Sequence, residues 1–251
     1  MAPETSRVLL VTGGSRGIGA AVVDRAAAAG WDVCLTYRSD AGAAETVAGR
    51  AREQGVQAVA VRADVAVEAD VEAAFAAADA LGPLGGVVVN AGVVVPKSRV
   101  DAMSAERVTA MLTVNVVGAV VSCREAVRRL STAHGGPGGS IVIVSSAAAR
   151  LGSPGEYVDY AASKAATDTL GLGLAKEVAD EGVRVNVVRP GIIDTELHAV
   201  GGQPDRVARI GPLVPVGRAG TADEVAAAIA WLLSDEASYC TGSVLDVAGG
   251  R

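Results

Sequence analysis

Short apolar runs alternate along the chain with longer segments in which apolar and polar positions follow a helical period. The short runs are rich in β-branched residues, and several, such as residues 141–144, are continuously apolar. Such runs are typical of parallel strands that are covered by helices on both faces. Seven strands are predicted, at residues 7–12, 32–37, 57–62, 86–90, 140–145, 183–188 and 244–247. Six helices are predicted, at residues 17–29, 42–54, 67–81, 104–131, 157–181 and 221–234.

The regular alternation of strand and helix defines the expected fold class. It predicts a parallel sheet with right-handed crossovers. A closed barrel would need about eight strand–helix units, whereas this pattern supplies seven strands. We therefore expect one α/β domain over residues 1–251, a Rossmann-type doubly wound parallel sheet of seven strands with helices on both faces. The irregular segment 191–218, which with Pro190 holds four prolines, is expected to cover a substrate.

Composition and charge exclude several classes of protein. The net charge of −6 provides no basic surface for a polyanion, so nucleic acid is not an expected partner. Three widely spaced cysteines and two histidines suggest neither a disulfide framework nor a metal site. Residues 1–7 lack the pattern of a signal peptide, and no window approaches about 18 uninterrupted apolar residues. We expect a cytoplasmic protein without a membrane partner.

A glycine-rich turn follows the first predicted strand. Residues 12–19 have the sequence TGGSRGIG and lead into an alanine-rich helix. Glycines allow a tight turn and a close approach to a pyrophosphate, and the helix N-terminus supplies free N–H groups. The spacing G-x-x-x-G-x-G differs from the commoner G-x-G-x-x-G, and glycine-rich turns also occur for structural reasons alone. The strand before and the helix after favour a dinucleotide site.

The end of the second predicted strand bears on the type of dinucleotide. An NAD site usually has an acidic residue here that holds the ribose 2′-hydroxyl. This chain has Arg38 and Ser39 instead, and Arg38 could pair with Arg16 to hold a 2′-phosphate. The pattern therefore favours NADP(H) over NAD(H). In the alternative, Arg38 is a solvated loop residue and Asp40 takes the acidic role.

A tyrosine, a lysine and two serines form the candidate catalytic group. Tyr160 and Lys164 are four residues apart at the start of a predicted helix and share one of its faces. A free phenol ionises near pH 10, and a neighbouring cation lowers that pKa. Ser145 and Ser146 end the preceding strand at the same edge of the sheet, where a hydroxyl can stabilise a substrate oxygen. Alternatively, both serines only cap the junction of strand and loop.

These motifs resemble those of the classical short-chain dehydrogenase/reductase family, in the family's order and over nearly the whole chain. The positions that match the family's catalytic set are Asn115, Ser146, Tyr160 and Lys164. The positions expected to bind the cofactor, from these motifs and from the end of the second strand, are Gly13, Ser15, Arg16, Gly17, Ile18, Gly19, Arg38, Ser39, Asp64, Val65, Asn90, Ala91, Gly92, Tyr160, Lys164, Pro190, Gly191, Ile193 and Thr195. The 3-oxoacyl reductases and glucose dehydrogenases are near neighbours within the family.

The resemblance implies a role for each residue of the catalytic set. Tyr160 donates a proton to a carbonyl oxygen, or accepts one from an alcohol. Lys164 lowers the pKa of the phenol and binds the nicotinamide ribose. Ser146 orients the substrate oxygen, and Asn115 holds a water that links Lys164 to solvent. The interval between Ser146 and Tyr160 is one residue longer than the commonest spacing, so Ser145 remains an alternative for the functional hydroxyl.

The function implied is NAD(P)(H)-dependent reduction of a small-molecule carbonyl, or oxidation of the matching alcohol, by a homotetramer or homodimer. A non-catalytic dinucleotide-binding regulator of the same fold is the alternative, although such a protein typically loses the tyrosine or the lysine. A hydrolase would need a nucleophile-elbow sequence, which the two serines lack.

The sequence leaves the substrate open. The expected pocket segments, 93–97, 150–157 and 192–209, mix apolar with charged residues, so neither a lipid nor a sugar is excluded. A substrate bound to an acidic carrier protein would require a basic surface beside the pocket. Arg124, Arg128 and Arg129 are candidates for it, unless they form an ordinary solvated helix face.

Overall fold

Seven parallel strands form the central sheet of the computed structural model, which describes residues 7–251. Together with those of a separate pair, the strands among these residues are β1 (Val8–Val11), β2 (Asp32–Tyr37), β3 (Ala58–Arg62), β4 (Leu84–Val89), β5 (Gly139–Val144), β6 (Val183–Pro190), β7 (Ile193–Asp194), β8 (Gly220–Thr221) and β9 (Val244–Val247). The sheet order is β3-β2-β1-β4-β5-β6-β9, and β7 pairs separately with β8. The order reverses between β1 and β4, where a crevice opens at the carboxyl ends of the strands.

Helices cover both faces of this sheet. They are α1 (Gly17–Ala28), α2 (Ala41–Glu53), α3 (Glu68–Leu81), α4 (Ala105–Leu112), α5 (Gly118–Leu130), α6 (Ala148–Leu151), α7 (Val158–Glu177), α8 (Leu197–Val200), α9 (Arg206–Ile210) and α10 (Ala222–Leu233). One apolar core joins the sheet to α1, α2 and α10, and the other joins it to α3, α5 and α7. Many of the buried helical residues are alanines, which let the helices lie close to the strands.

The predicted fold class is confirmed, and the structure corrects several element boundaries. The fourth strand begins at Leu84 rather than at residue 86. The sixth strand continues to Pro190, because β9 pairs with it as far as Val247. The predicted helix 157–181 begins at Val158 and ends at Glu177, and a 3₁₀ turn follows.

Two corrections concern the surroundings of the crevice. The predicted helix 104–131 contains a π-helical turn at Thr113–Val117 that separates α4 from α5. The segment 191–218 is not irregular throughout, since it contains β7, α8 and α9. Hydrophobic periodicity cannot reveal helices as short as four or five residues, because their positions are fixed by tertiary contacts.

Among residues 7–251, one helical stretch is long and apolar enough to cross a membrane by length and composition alone. It is Ala105–Leu130, which comprises α4, the π-helical turn and α5. Part of it packs in the core against α3 and β4. The core helix of a soluble protein meets the same criterion. The prediction that residues 1–7 hold no signal peptide lies, apart from Arg7, outside the described residues.

Candidate active site

A cleft of about 440 Å³ lies at the carboxyl ends of the strands, where the sheet order reverses. Every residue that the sequence predicts for catalysis or cofactor binding lines this cleft, except Gly19 and Asn115. Those two residues contact residues that do line it: Gly19 packs against Gly13, and Asn115 bonds to Val93. The structure therefore brings together motifs that are separated by up to about 180 residues along the chain.

The glycine-rich loop forms one end of the cleft. Gly13 and Gly17 have φ angles of +66° and +54°, which favour glycine. A Cβ on Gly19 would lie 2.3 Å from the Gly13 carbonyl oxygen, so only glycine lets the loop close onto the helix. No side chain caps the N-terminus of α1. Its first N–H groups therefore suit the pyrophosphate of a dinucleotide.

Thr12 and Asn90 tie this loop to the loop that follows β4. The Thr12 hydroxyl accepts hydrogen bonds from the backbone N–H groups of Asn90 at 2.9 Å and Ala91 at 3.0 Å. The Asn90 amide in turn donates to the carbonyl oxygens of Thr12 and Gly13, both at 3.0 Å. We call these contacts the Thr12–Asn90 clamp. Thr12 lies in the glycine-rich motif of the sequence but is not among the residues predicted to bind the cofactor.

The end of β2 presents both signs of charge to the cleft. Arg38, Ser39 and Asp40 all line it. The Asp40 carboxylate accepts a hydrogen bond from the Ala43 N–H at 2.9 Å and thereby caps α2. Arg16 also lines the cleft, and its guanidinium lies 3.6 Å from the carboxylate of Glu196, with both groups exposed.

The residues after β3 and β6 complete the cofactor end of the cleft. The Asp64 carboxylate accepts a hydrogen bond from the Ala66 N–H at 3.0 Å, and so shapes its own turn. A Cβ on Gly191 would lie 2.7 Å from the Ala248 Cα, so glycine is required for the chain to pass there. Thr195 also lines the cleft and lies beside Gly17 of the glycine-rich loop.

Tyr160 and Lys164 lie near the start of α7, one helical turn apart. The Lys164 ammonium donates a hydrogen bond to the Val144 carbonyl oxygen at 2.8 Å and lies 5.9 Å from the centre of the Tyr160 ring. Burial lowers the pKa of Lys164 to about 8, and the charge of Asp168 opposes this effect. Burial raises the pKa of Tyr160, and a hydrogen bond with Ser146 opposes it. The phenol therefore keeps its proton at neutral pH.

The two serines after β5 have different partners. The buried Ser145 hydroxyl donates to the backbone carbonyl of Lys164 at 3.0 Å and so ties the strand end to α7. The Ser146 hydroxyl accepts a hydrogen bond from the Ala148 N–H at 3.1 Å and lies close enough to the Tyr160 phenol to oppose the rise of its pKa. The structure thus brings Ser146, rather than Ser145, to the phenol.

Asn115 lies in the π-helical turn and is almost completely buried. Its side-chain oxygen accepts from the Val93 N–H at 2.8 Å, while its amide donates to the Val93 carbonyl oxygen and to the Ser163 hydroxyl at 3.0 Å. Asn115 therefore fixes the loop after β4 to α7. A Cβ on Gly92 would lie 3.3 Å from both the Asn115 oxygen and the Lys164 nitrogen, so glycine lets this loop approach them closely.

A buried ion pair fixes the first turn of α7. The Asp159 carboxylate accepts hydrogen bonds from the Tyr160 N–H at 2.9 Å and from the Arg107 guanidinium at 2.8 Å. Arg107 also donates to the Pro96 carbonyl oxygen at 2.6 Å. Sequence reasoning missed this pair, because 52 residues separate its partners and neither belongs to a motif.

Part of the segment 191–218 lines the end of the cleft where a substrate is expected, which we call the substrate end, and is held there by polar contacts. The buried Tyr157 hydroxyl donates to the Gly201 carbonyl oxygen at 2.9 Å and accepts from the Gln203 amide at 2.6 Å. Arg206 donates to the Glu156 carboxylate at 2.7 Å. The apolar residues of this end are Val93, Val94, Leu151, Ile192 and Leu197.

Comparison with known proteins agrees with this geometry. A protein-family model described as enoyl-(acyl carrier protein) reductase matches residues 13–251. The chain is 51% identical to the uncharacterized oxidoreductase YgfF of Escherichia coli, over 97% of this chain and 99% of that protein. It is 42% identical to 3beta-hydroxysteroid dehydrogenase 1 of Eggerthella lenta, over 97% of this chain and 93% of that protein.

A solved structure has the same fold over almost its whole length. It is a short-chain dehydrogenase of Burkholderia cenocepacia in complex with NADP, with a TM-score of 0.88 and 34% identity. The match covers 98% of this chain and 97% of that one. The chain therefore belongs to the short-chain dehydrogenase/reductase family and is an NAD(P)-dependent oxidoreductase that acts on a carbonyl or the matching alcohol.

Proposed function

We propose that the protein is an NADPH-dependent reductase of small, largely apolar ketones or aldehydes that are free in solution. The observation that carries this proposal is the buried, un-ionised Tyr160 phenol beside Ser146, in a cleft whose substrate end has an apolar wall. A proton-bearing phenol is ready to act as the acid in carbonyl reduction.

A dinucleotide held by the glycine-rich loop and by Lys164 would supply the hydride for the carbonyl carbon. Tyr160 gives its proton to the carbonyl oxygen, so that hydride and proton together convert the carbonyl into an alcohol. The Ser146 hydroxyl donates a hydrogen bond to the same oxygen as negative charge develops there. The Lys164 ammonium holds the nicotinamide ribose and stabilises the phenolate that remains. Asn115 acts as a positioning residue, because its amide fixes the wall of the cleft at Val93.

The chain's own residues support NADP(H) over NAD(H). Arg16 and Arg38 both line the cleft and can pair with a 2′-phosphate. Asp40 also lines it, but its carboxylate caps α2. A capping carboxylate is a poorer acceptor for the ribose 2′-hydroxyl that distinguishes NAD. The relative from Burkholderia cenocepacia was solved with NADP.

The polar groups at the substrate end support an apolar substrate rather than a sugar. The Tyr157 hydroxyl, the His198 imidazole and the Arg206 guanidinium each bond to a protein oxygen. A sugar carries many hydroxyls, each of which needs a partner when it is buried. These three groups already have partners within the protein, whereas the apolar wall suits a hydrocarbon framework. One relative is named a hydroxysteroid dehydrogenase, which has such a substrate.

The surface beside α5 argues against a carrier-bound substrate. Each of the three candidate arginines forms an ion pair with neighbouring carboxylates on α3 or α5. The arginines are Arg124, Arg128 and Arg129, and the carboxylates are those of Glu68, Glu72, Asp79 and Glu125. Three positive charges thus face four negative ones, so this surface does not attract an acidic carrier protein.

The reaction is tested with Tyr160→Phe. Loss of the general acid should lower turnover of an apolar ketone by roughly 10²- to 10⁴-fold. The same variant should still bind NADPH, because the phenol hydroxyl is not part of the phosphate-binding loop. Reduction at the wild-type rate by Tyr160→Phe would show that the assigned mechanism is wrong. A panel of cyclic ketones, aldoses and carrier-linked acyl thioesters tests the substrate class.

The cofactor preference is tested by thermal unfolding with NADPH and with NADH at equal concentrations. A ligand at a hundred times its dissociation constant stabilises by about 2.7 kcal/mol, or roughly 5 °C or more at this chain length. The larger shift should occur with NADPH. Arg38→Gln should remove most of that difference, and Arg52→Gln, at an exposed arginine paired with Glu45, serves as control. A larger shift with NADH would overturn the preference for NADP(H).

We further infer a cytoplasmic homotetramer or homodimer. Exposed apolar side chains lie along α4, the π-helical turn and α5, at Leu112, Val117 and Val120. Such side chains are typical of a surface that is covered in an assembly. Sedimentation analysis tests the number of subunits, and a monomer at micromolar concentration would refute this inference.

A further inference from the structure

Behind Lys164 lies a buried ion pair that the proposed reaction does not use. The Arg189 guanidinium donates from Nε and Nη2 to a single oxygen of Asp168, at 3.0 and 2.8 Å. The side chain of Asp168 is 7% exposed and that of Arg189 is 21% exposed. Desolvation of two buried charges often cancels their attraction, so stability alone is a poor reason for this pair.

The pair connects the two walls that hold the reacting groups. Asp168 lies one turn after Lys164 on the same face of α7, and both residues are buried. Arg189 lies on β6 immediately before Pro190 and Gly191, which line the cleft. The second oxygen of Asp168, Oδ1, is buried and has no hydrogen-bond partner among the described residues. Part of the carboxylate's charge is therefore not neutralised by Arg189.

The surroundings of the Lys164 ammonium contain few other charges. On its own helix, Tyr160 and Asp168 are the titratable residues one turn away on either side. The loop after β4 approaches it with Gly92, and β5 offers the Val144 carbonyl oxygen, neither of which is charged. From β6, Arg189 reaches it only through Asp168.

A second carboxylate lies farther back. Asp246 on β9 is 3.9 Å from the Arg189 guanidinium and 3.7 Å from that of Arg150. Asp168 is the carboxylate one turn from Lys164 on the same helix face, and its charge acts on Lys164 across a buried region that screens charge weakly.

We propose that Asp168 is a positioning residue that keeps Lys164 protonated, with Arg189 holding the carboxylate in place and moderating its charge. This inference rests on the proposed function in one respect, because the proposed reaction is what requires the Lys164 side chain to be charged. Burial already lowers the pKa of Lys164 to about 8, and Asp168 opposes that effect. Without Asp168, the pKa of Lys164 would fall further, and the neutral form of the lysine would gain at physiological pH. It could then neither hold the ribose as a cation nor stabilise the phenolate.

The chain permits a direct measurement of this effect, because it contains only three lysines, Lys97, Lys164 and Lys176. Protein labelled with ¹³C at lysine Cε should give three resolvable NMR signals, and Lys164→Met identifies the one of interest. Its titration midpoint in full-length protein without nucleotide reports the pKa of Lys164 alone. Asp168→Asn keeps the shape of the side chain and removes its charge, so the midpoint should fall by roughly one pH unit.

Two further variants separate charge from structure. The double variant, Asp168→Asn with Arg189→Gln, removes both charges. It leaves no buried cation without a partner, so it should fold even if Asp168→Asn alone does not. Its midpoint should lie below the wild-type value but above that of Asp168→Asn. Glu177→Gln, at the exposed end of α7, is the matched control and should leave the midpoint unchanged. A purely structural pair would lower the thermal midpoint in both Asp168 variants without moving the titration.

The proposal is overturned if the midpoint in either Asp168 variant stays within about 0.2 pH unit of the wild-type value. Failure of the proposed function is a distinguishable result. If the midpoint falls in Asp168→Asn while the pH dependence of NADPH affinity does not move with it, Asp168 does control Lys164. In that case, Lys164 would not be the cation that holds the cofactor.

Discussion

The Thr12–Asn90 clamp should stabilise both the fold and the cofactor end of the cleft. The Thr12 hydroxyl accepts hydrogen bonds from two backbone N–H groups, those of Asn90 and Ala91, and is itself buried. Thr12→Val replaces the hydroxyl with a methyl group of similar size, so no cavity forms and two donors lose their acceptor. Each unpaired donor costs about 1–3 kcal/mol when it is buried. Because these donors are only partly buried, we expect a total loss of about 2–4 kcal/mol.

Thermal unfolding is the assay. At this chain length 1 kcal/mol corresponds to about 2–4 °C, so Thr12→Val should unfold roughly 5–15 °C below the wild type. Thr12→Ser is the matched control, since it keeps the hydroxyl and loses only one methyl group, worth about 1 kcal/mol. NADPH affinity should weaken in Thr12→Val and not in Thr12→Ser, because Asn90 holds the Gly13 carbonyl of the phosphate-binding loop. If the two variants unfold within about 2 °C of each other, the clamp does not stabilise the fold as argued.

Two further predictions concern α7. NADPH affinity, measured by fluorescence titration, should weaken about tenfold as the pH rises through about 8, where Lys164 loses its proton. Lys164→Met should bind weakly at every pH, and a pH dependence retained in that variant would contradict the assignment. Gly171→Ala should lower stability by about 1–3 kcal/mol, because its Cβ would lie 2.3 Å from Val187 Cγ2. Gly173→Ala, with open space around it, should raise stability by up to about 1 kcal/mol, and equal effects of the two alanines on thermal unfolding would refute the packing argument.

Much of the fold could be predicted from the sequence, because the patterns that specify strands and helices lie within short stretches of the chain. Continuous apolar runs and helical periods repeat over short windows, and their alternation leads to a doubly wound parallel sheet. The glycine-rich loop is also a local signal, since backbone geometry at Gly13 and Gly17 depends on the residue itself. The i, i+4 spacing of Tyr160 and Lys164 places them on one helix face for the same reason.

The choice between Ser145 and Ser146 illustrates what lies beyond local information. Neighbouring residues at a strand end point in different directions, and the sequence alone does not show which direction faces α7. Only the packing of α7 against β5 turns Ser145 to the Lys164 carbonyl and Ser146 to Tyr160. The sequence of the pocket segments mixes apolar and charged residues, so it did not indicate the class of substrate. The structure shows which of their polar groups already have partners within the protein.

The sequence by itself therefore determined the order of strands and helices, the glycine-rich loop and the Tyr160–Lys164 spacing, because each depends on neighbours within one or two turns. The tertiary structure decided which serine meets the phenol, what Asn115 holds and that Asp168 pairs with Arg189. Those contacts join residues that are far apart in sequence or depend on how one layer packs on another. They exist only because the sheet brings the ends of its strands to one edge.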